Sequence, residues 1–518
     1  MLGRVDAQGS LLQTRLVRRH LVTKGSFYER LADHGHEIVS DEDFASCYSP
    51  NHGRPSIPPS VMMRAVLCAA NDRICSDAET SRRTRVDADW KAAMGVDDDF
   101  EGIAPRTFSL FRARLVIHDA DETILANTVR RAARAGVLKG KVTALIDSSP
   151  VHGAGAVADT YELVRKLAAK VARAAGDDLD ADLAARARAL GAAKPDIDWD
   201  DTEGRRAHLD ELVSLAVALV AAAGKSDDPA VAEAADLLAT VVDQDVELDE
   251  DGTARIRQGV APDRVVSHSD PEMRHGRKSA SRRFDGHKAH VISDEGSEMI
   301  LGVEVGPGNG SDGEAAAPLV EAVRAAGVDV AVVVGDMAYS DPDVRIAVEH
   351  TGATVVAKVP PVTNAGRFPK TDFAIDLAAK TVTCPAGQVT SDARRAKDHK
   401  GRPATRFVFA VPACAACPLR QRCVKGTRPR TVVVGVHEAR MAAARADQLR
   451  PETKALLRAR CKVERKIAHL QAAGMRKARF RGRRKTKQQL LVAAAVVNIK
   501  RLAALGVFGT AHSGPLPA

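Results

Sequence analysis

The sequence predicts an α/β protein. A mixed sheet carries helices, a helical segment and a β-rich, cysteine-containing segment are inserted into it, and a helical domain precedes it. Three observations predict this. Two apolar runs of strand length, Lys141–Asp147 and Asp329–Asp336, each end in a carboxylate followed by turn-forming residues. Between them lies an Ala-rich stretch, 159–245, whose leucines recur at helical spacing. From about residue 274 strand-like and helix-like segments alternate, as in a sheet with helices packed on it.

At 518 residues the chain is long for one core, so several domains or large insertions are expected. Lys and Arg number 76 against 67 Asp and Glu, and the pI is near 9.1, which permits a polyanionic partner without demanding one. The distribution says more. Between Arg450 and Lys487 fifteen Lys or Arg face two acids, Glu452 and Glu464, whereas acids gather at Asp97-Asp98-Asp99 and from Asp243 to Asp251. Concentrated basicity is the footprint of a nucleic-acid partner. With aromatics at 3%, phosphate contacts and groove-reading helices are favoured over stacking on rings. The N-terminus lacks a secretory apolar region. The longest apolar stretch, Leu212 to Ala223, is broken by Ser214 and falls short of the about 20 residues a bilayer needs. The chain is therefore expected to be cytoplasmic, without a membrane partner, and its eight cysteines to be reduced.

In chain order, residues 1–135 are read as a helical domain. Pro58-Pro59-Ser60 opens one helix with Ser60 in capping position, Ser76-x-x-Glu79 is a capping box for a second, and Pro105 opens a third. Phe108, Phe111 and Leu115 stripe the third helix, with Arg106, Arg112 and Arg114 on its other sides. Short helices ending in a basic one suit a helix-turn-helix-like DNA-binding domain, and equally a plain bundle with a solvated Arg face. Residues 140–158 and 260–360 are read as a sheet-forming core, 159–259 as a helical insertion with Leu209, Leu212, Leu215 and Leu219 on one face, and 361–440 as the β-rich insertion. Residues 450–505 are helical and basic, and the tail Gly509–Ala518 is read as loose. The order of strands and helices, β-β-β-α-β-α-β, is that of the ribonuclease H-like fold, with the helical insertion after its first strand.

Several stretches carry a family resemblance. Asp147-Ser-Ser-Pro-Val-His-Gly-Ala-Gly-Ala156 resembles the first catalytic-Asp motif of bacterial insertion-sequence transposases of the DDE type. Val334-Gly-Asp336-Met-Ala-Tyr-Ser-Asp resembles the second-Asp motif, and Phe284-Asp-Gly-His-Lys-Ala-His-Val291 the second strand. Gly53-Arg-Pro-Ser-Ile-Pro-Pro-Ser60 and Thr107-Phe-x-x-Phe-Arg-x-Arg-Leu115 resemble the domain preceding the catalytic core. The family's third carboxylate lies in Tyr-x-x-Arg-x-x-x-Glu-x-x-x-x-x-x-Lys. Arg460 and Glu464 match it, while Leu457 stands in place of the Tyr and Gln471 in place of the Lys.

The resemblance implies a catalytic triad of Asp147, Asp336 and Glu464 holding two Mg²⁺ (or Mn²⁺) ions. Hard cations take oxygen ligands, and two ions about 3.5–4 Å apart activate the attacking hydroxyl and stabilise the leaving oxygen. Strand-ending Asp residues also form turns, and Glu464 could merely pair with Arg460 at i,i+4. The implied activity is binding of double-stranded DNA at the element's terminal inverted repeats, hydrolysis there, and joining of the 3′-hydroxyl to target DNA. A homodimer or larger synaptic assembly and a bacterial, nucleoid-associated location are implied with it. A metal-dependent nuclease without joining activity and a catalytically inactive DNA-binding repressor are the rival readings. Phosphate contacts are assigned to Arg460, Arg476, Lys477, Arg479, Arg112 and Arg114, and Lys288 to the active site or a phosphate. Asp285 is read as a turn residue before a strand that begins after Gly286. Cys384, Cys414, Cys417 and Cys423 form a four-thiolate set suited to one structural Zn²⁺, or are buried reduced cysteines.

Overall fold

The computed structural model describes residues 1–6, 10–192, 195–279 and 281–508. The tail from Gly509, read from sequence as loose, lies outside these described residues.

A six-stranded mixed sheet organises the chain. Its strands are β1 (Lys141–His152), β2 (Arg274–Arg277), β3 (Arg283–Asp294), β4 (Ile300–Pro307), β5 (Asp329–Gly335) and β6 (Thr354–Ala357). Their order is β2-β3-β1-β5-β6, with β4 also paired to β3. β3 runs antiparallel to β1, β2 and β4, and β5 lies parallel between β1 and β6. β1 and β5 read as continuous apolar runs because both sheet faces are covered. On one face Ala144, Ile146, Ile292 and Val333 join a cluster with Phe44, Trp90, Phe108 and Ile124 of the N-terminal helices. On the other, Leu145, Val291, Val303 and Val334 pack with Val463, Ile467 and Leu470. The N-terminal helices therefore share a core with the sheet. Helix Arg483–Ala504 contributes to both clusters, Val492, Val496 and Ile499 to the first and Leu490, Leu491 and Val497 to the second.

Of the expected N-terminal helices, Ser76 caps Asp77–Val86 through the Glu79 N–H at 3.3 Å, and the third spans Pro105–Ile117. Ser60 does not cap. The helix starts at Pro59, whose fixed φ suits the first turn, and Ser60 lies buried inside it, its N–H bonded to Asp41 at 2.8 Å. The short helix Ala88–Met94, capped by Asp87 and closed by left-handed Gly95, escaped the sequence reading because seven residues show too little periodicity.

The segment after β1 folds as helices Thr160–Ala175, Ala181–Ala192, Thr202–Ala223 and Pro229–Asp245. Leu163, Leu167, Leu212, Leu215, Leu219 and Leu238 form its own core. Entry and exit meet where the Ala158 N–H bonds the Val266 carbonyl at 3.0 Å. Farther on, two small three-stranded sheets enclose Phe373, Val382, Phe407 and Phe409. Among the described residues no helix is long and apolar enough to cross a membrane.

The expected turn at Asp285 is corrected. β3 begins at Arg283, so Asp285 is a strand residue, held by His275 Nδ1 of β2 at 2.5 Å. Gly286 is needed there for another reason. Its φ is +151°, and a Cβ would stand 2.2 Å from the Val151 carbonyl oxygen of β1.

Candidate active site

Asp147 and Asp336 become neighbours through strand register. Leu145 of β1 is level with Val334 of parallel β5, so two residues on, Asp147 in the middle of β1 comes level with Asp336, just past the carboxyl end of β5. Neighbouring strands lie about 4.8 Å apart. Side chains alternate along a strand, so Asp147 emerges on the same face as Leu145. Directly across on β3 is Val291, which packs on that face.

Helix Cys461–Leu470 covers this face. Val463, Ile467 and Leu470 point into the Leu145–Val334 cluster, fixing the helix's rotation. Three pairs tie it down at the turn between β3 and β4, one of them Arg465 with Glu298 at 2.7 Å. Lys462 pairs with Glu295, and Lys466 with Glu298 at 3.1 Å. Glu464 is left pointing out, its side chain 60% exposed. One cation spans the first and third carboxylates. Arg460 lies 3.3 Å from Asp147 Oδ2 and 3.9 Å from Glu464 Oε1.

Asp147 accepts the Ser148 N–H at 2.8 Å, and Asp336 accepts the Ala338 N–H at 2.8 Å. Burial pushes the Asp147 carboxyl above its ordinary value, and the nearby charges of Asp336 and Glu464 push the same way, against the Ser148 N–H and Arg460. Buried Tyr339 lies within the same field, its hydroxyl driven up by burial and by Asp312, Asp147 and Asp336, with no hydrogen-bond partner among the described residues. Among the described residues no three His, Cys, Asp or Glu side chains stand, as arranged here, where one metal ion would hold them together. The donor set is nonetheless hard. Among the described residues Asp336 Oδ2 and Glu464 Oε2 have no partner in hydrogen-bond range, and Arg460 supplies the positive charge that Asp147 faces.

Gln471, at the position of the resembling motif's Lys, donates to Ser149 Oγ at 2.9 Å, two residues beyond Asp147. The basic loop that follows is pinned to the end of β1. The His152 N–H bonds the Arg476 carbonyl at 2.9 Å, and the Ala478 N–H bonds the His152 carbonyl at 2.7 Å. Arg476 and Lys477 are exposed there without carboxylate partners among the described residues, as are Arg481 and Lys485.

Other candidate phosphate ligands sit elsewhere. Arg112 and Arg479 both pair with Asp77, Arg479 at 2.6 Å, and both guanidiniums lie over the Phe480 ring. This contact joins the helical domain to the loop and leaves neither cation free. Arg114 lies over the Tyr48 ring, 5.0 Å from its centre. Lys288 falls on the opposite sheet face from Asp147, bonded to Asp312 at 2.8 Å and to the Gly310 carbonyl at 2.7 Å. Asp270 escaped the sequence reading. Fully buried, it faces His287 at 3.4 Å next to Gly155, and nothing in its local sequence signals this long-range pairing.

Cys384, Cys414, Cys417 and Cys423 converge on one small cavity of about 30 Å³, walled also by Phe409 and Arg430. Burial raises the Cys423 thiol, and the other three sulfurs add to the rise.

Two family models match the chain. One, described as a transposase DDE domain, covers residues 383–503 and so includes Glu464 and the four cysteines. The other, described as Transposase domain (DUF772), covers residues 16–114, the helices from Thr14–Val17 to Pro105–Ile117. Neither a curated protein nor a solved structure matches the chain.

Proposed function

The chain belongs to the DDE insertion-sequence transposases, and from that premise we propose that it cuts DNA at its element's terminal inverted repeats and joins the freed 3′-hydroxyl to target DNA. The observation that supports this reading is Arg460, which lies 3.3 Å from Asp147 and 3.9 Å from Glu464, beside the strand whose register carries Asp336 level with Asp147. The sheet order β2-β3-β1-β5-β6, antiparallel on one side of β1 and parallel on the other, supports a ribonuclease H-like core. Asp147, Asp336 and Glu464 would hold two Mg²⁺ (or Mn²⁺) ions, which when bound activate the attacking hydroxyl and stabilise charge on the leaving oxygen.

The chain's own residues then orient the DNA. Asp147 is fixed by the Ser148 N–H, so its second oxygen faces the site. Arg460 can turn from Asp147 to a backbone phosphate once the carboxylates find another positive partner. Arg476 and Lys477, held at the end of β1, contact the adjoining phosphates. Two copies or more are needed to bring two element ends together, in a bacterial nucleoid setting. Cys384, Cys414, Cys417 and Cys423 would hold one structural Zn²⁺ that staples the β-rich insertion.

The test is a nicking and joining assay on a duplex carrying the element's end, with Mg²⁺ and a target plasmid. Wild type is expected to give joined product. Asp147→Asn is expected to keep end binding and lose cleavage by a factor on the order of 10³ or more. Cleavage without joined product would make the protein a nuclease, and full cleavage by Asp147→Asn would overturn the assignment.

A further inference from the structure

A groove of about 370 Å³ lies beside the loop that follows the Glu464 helix, between helix Pro59–Asn71 and helix Arg483–Ala504. Arg73, Lys466, His469, Lys500 and Arg501 line it, and no acid does. Two of these cations are engaged, Lys466 with Glu298 at 3.1 Å and Arg501 with the Ser297 carbonyl at 2.7 Å. Arg73 and Lys500 are not. Neither has a carboxylate or hydrogen-bonding partner for its side chain among the described residues, although Lys500 approaches the Phe27 ring at 5.8 Å. Asp72, adjacent to Arg73, is already taken by Tyr28, Asn71 and the Trp90 indole N–H.

Arg73 also holds an unusual backbone position. Helix Pro59–Asn71 closes with the Arg73 N–H on the Ala70 carbonyl at 3.2 Å and the Ile74 N–H on the Ala69 carbonyl at 2.8 Å. This closure places Arg73 in the left-handed region at φ +59°, where glycine is the usual occupant. A long cation is thus carried where a bare backbone would be less strained. It faces a second unpaired cation, and partial burial together with Arg73 lowers the Lys500 ammonium's pKa against the opposing pull of Asp72. Both side chains are exposed and, among the described residues, without a carboxylate contact, so an anion that bridges them gains two charge-assisted bonds without displacing an existing ion pair.

We propose that this groove receives a backbone phosphate of duplex DNA, gripped by Arg73 and Lys500. The choice of duplex over a free phosphate ion rests on the transposase reading. The groove opens beside the same 471–475 turn that leads into the Arg476–Lys477 loop, so one DNA backbone can pass from one to the other.

The experiment uses the full chain and two probes. One is a fluorescein-labelled 30-base-pair duplex titrated at several salt concentrations. The other is sodium phosphate against sodium chloride at matched ionic strength, read by thermal shift. The variant is Arg73→Gly with Lys500→Gln, and glycine suits the left-handed backbone, so its melting temperature should equal or exceed that of wild type. Duplex affinity should fall roughly 5- to 20-fold, and the slope of log K against log salt should shrink by about 1 to 2. Unchanged affinity and slope would overturn the proposal. Loss of a phosphate-dependent shift with unchanged duplex binding would overturn the duplex assignment and leave a free anion as the ligand. If wild type binds no duplex, the functional reading fails, and the phosphate arm decides the groove. A shift that vanishes in the variant keeps it, and no shift in wild type removes it.

Discussion

Arg460 stands 3.3 Å from Asp147, although 313 positions separate them, and reaches toward Glu464 from the same guanidinium nitrogen. A single cation therefore offsets part of the charge of Asp147 and Glu464. Arg460→Gln should cost the metal-free protein about 1 kcal/mol, because both partners are mostly buried. It should also strengthen the stabilising response to MgCl₂, since no arginine then competes for the carboxylates. Thermal shift across an MgCl₂ titration, wild type against variant, checks both signs.

Asp147 gives a pH prediction. Its folded-state pKa is raised above the ordinary 3.8, first by burial, so the folded protein holds this proton at pH values where the unfolded chain has lost it. Stability must then fall as pH rises from that ordinary value through the raised one, the reverse of the usual aspartate. Asp147→Asn should accordingly melt higher than wild type at pH 7 without divalent metal, and the gap should close below about pH 4. Melting curves from pH 3 to 8 in EDTA decide it.

Asp77 is the shared acid of Arg112 and Arg479 at the junction of the helical domain and the basic loop. Asp77→Ala leaves two partly buried guanidiniums unpaired around Phe480 and should cost roughly 1–3 kcal/mol. The urea midpoint measures this. Removing Arg112 or Arg479 alone should cost less, because Asp77 keeps one partner.

Zinc at the four cysteines predicts about one equivalent of metal in purified protein, released by chelator. Cys417→Ser should abolish it and expose the 361–440 segment to protease while the Asp147 sheet stays protected. Metal analysis with limited proteolysis reads both.

Gly286→Ala should cost roughly 3 kcal/mol or more, since the new methyl meets the Val151 carbonyl and cannot move away. Failure to accumulate folded protein, or a much reduced urea midpoint, is the expected result.

The parts of this architecture legible in sequence are those set by short-range patterns. Val330 to Val334 is apolar at every position because both faces of β5 are covered, so the strand and its terminal Asp336 stand out. Val463, Ile467 and Leu470 repeat at helical spacing, which places Glu464 on a helix. Partnerships across hundreds of residues leave no such trace. Arg112 and Arg479 look like free phosphate ligands in sequence, and only the fold brings Asp77 between them. Lys288 illustrates a finer limit. A strand residue's face depends on register, and the pairing of Pro150 with Lys288 turns that lysine away from Asp147.

The helical segment inserted after β1 has a consequence for the nascent chain. β1 emerges from the ribosome early, but β3, its antiparallel neighbour, lies beyond four helices that can fold among themselves first. Glu464 comes later still, followed by helix Arg483–Ala504, which is buried against both sides of the assembly. A nascent chain that stops before Cys461 lacks the helix that carries Glu464, so Asp147 and Asp336 are left without their third neighbour until about nine-tenths of the chain has been made.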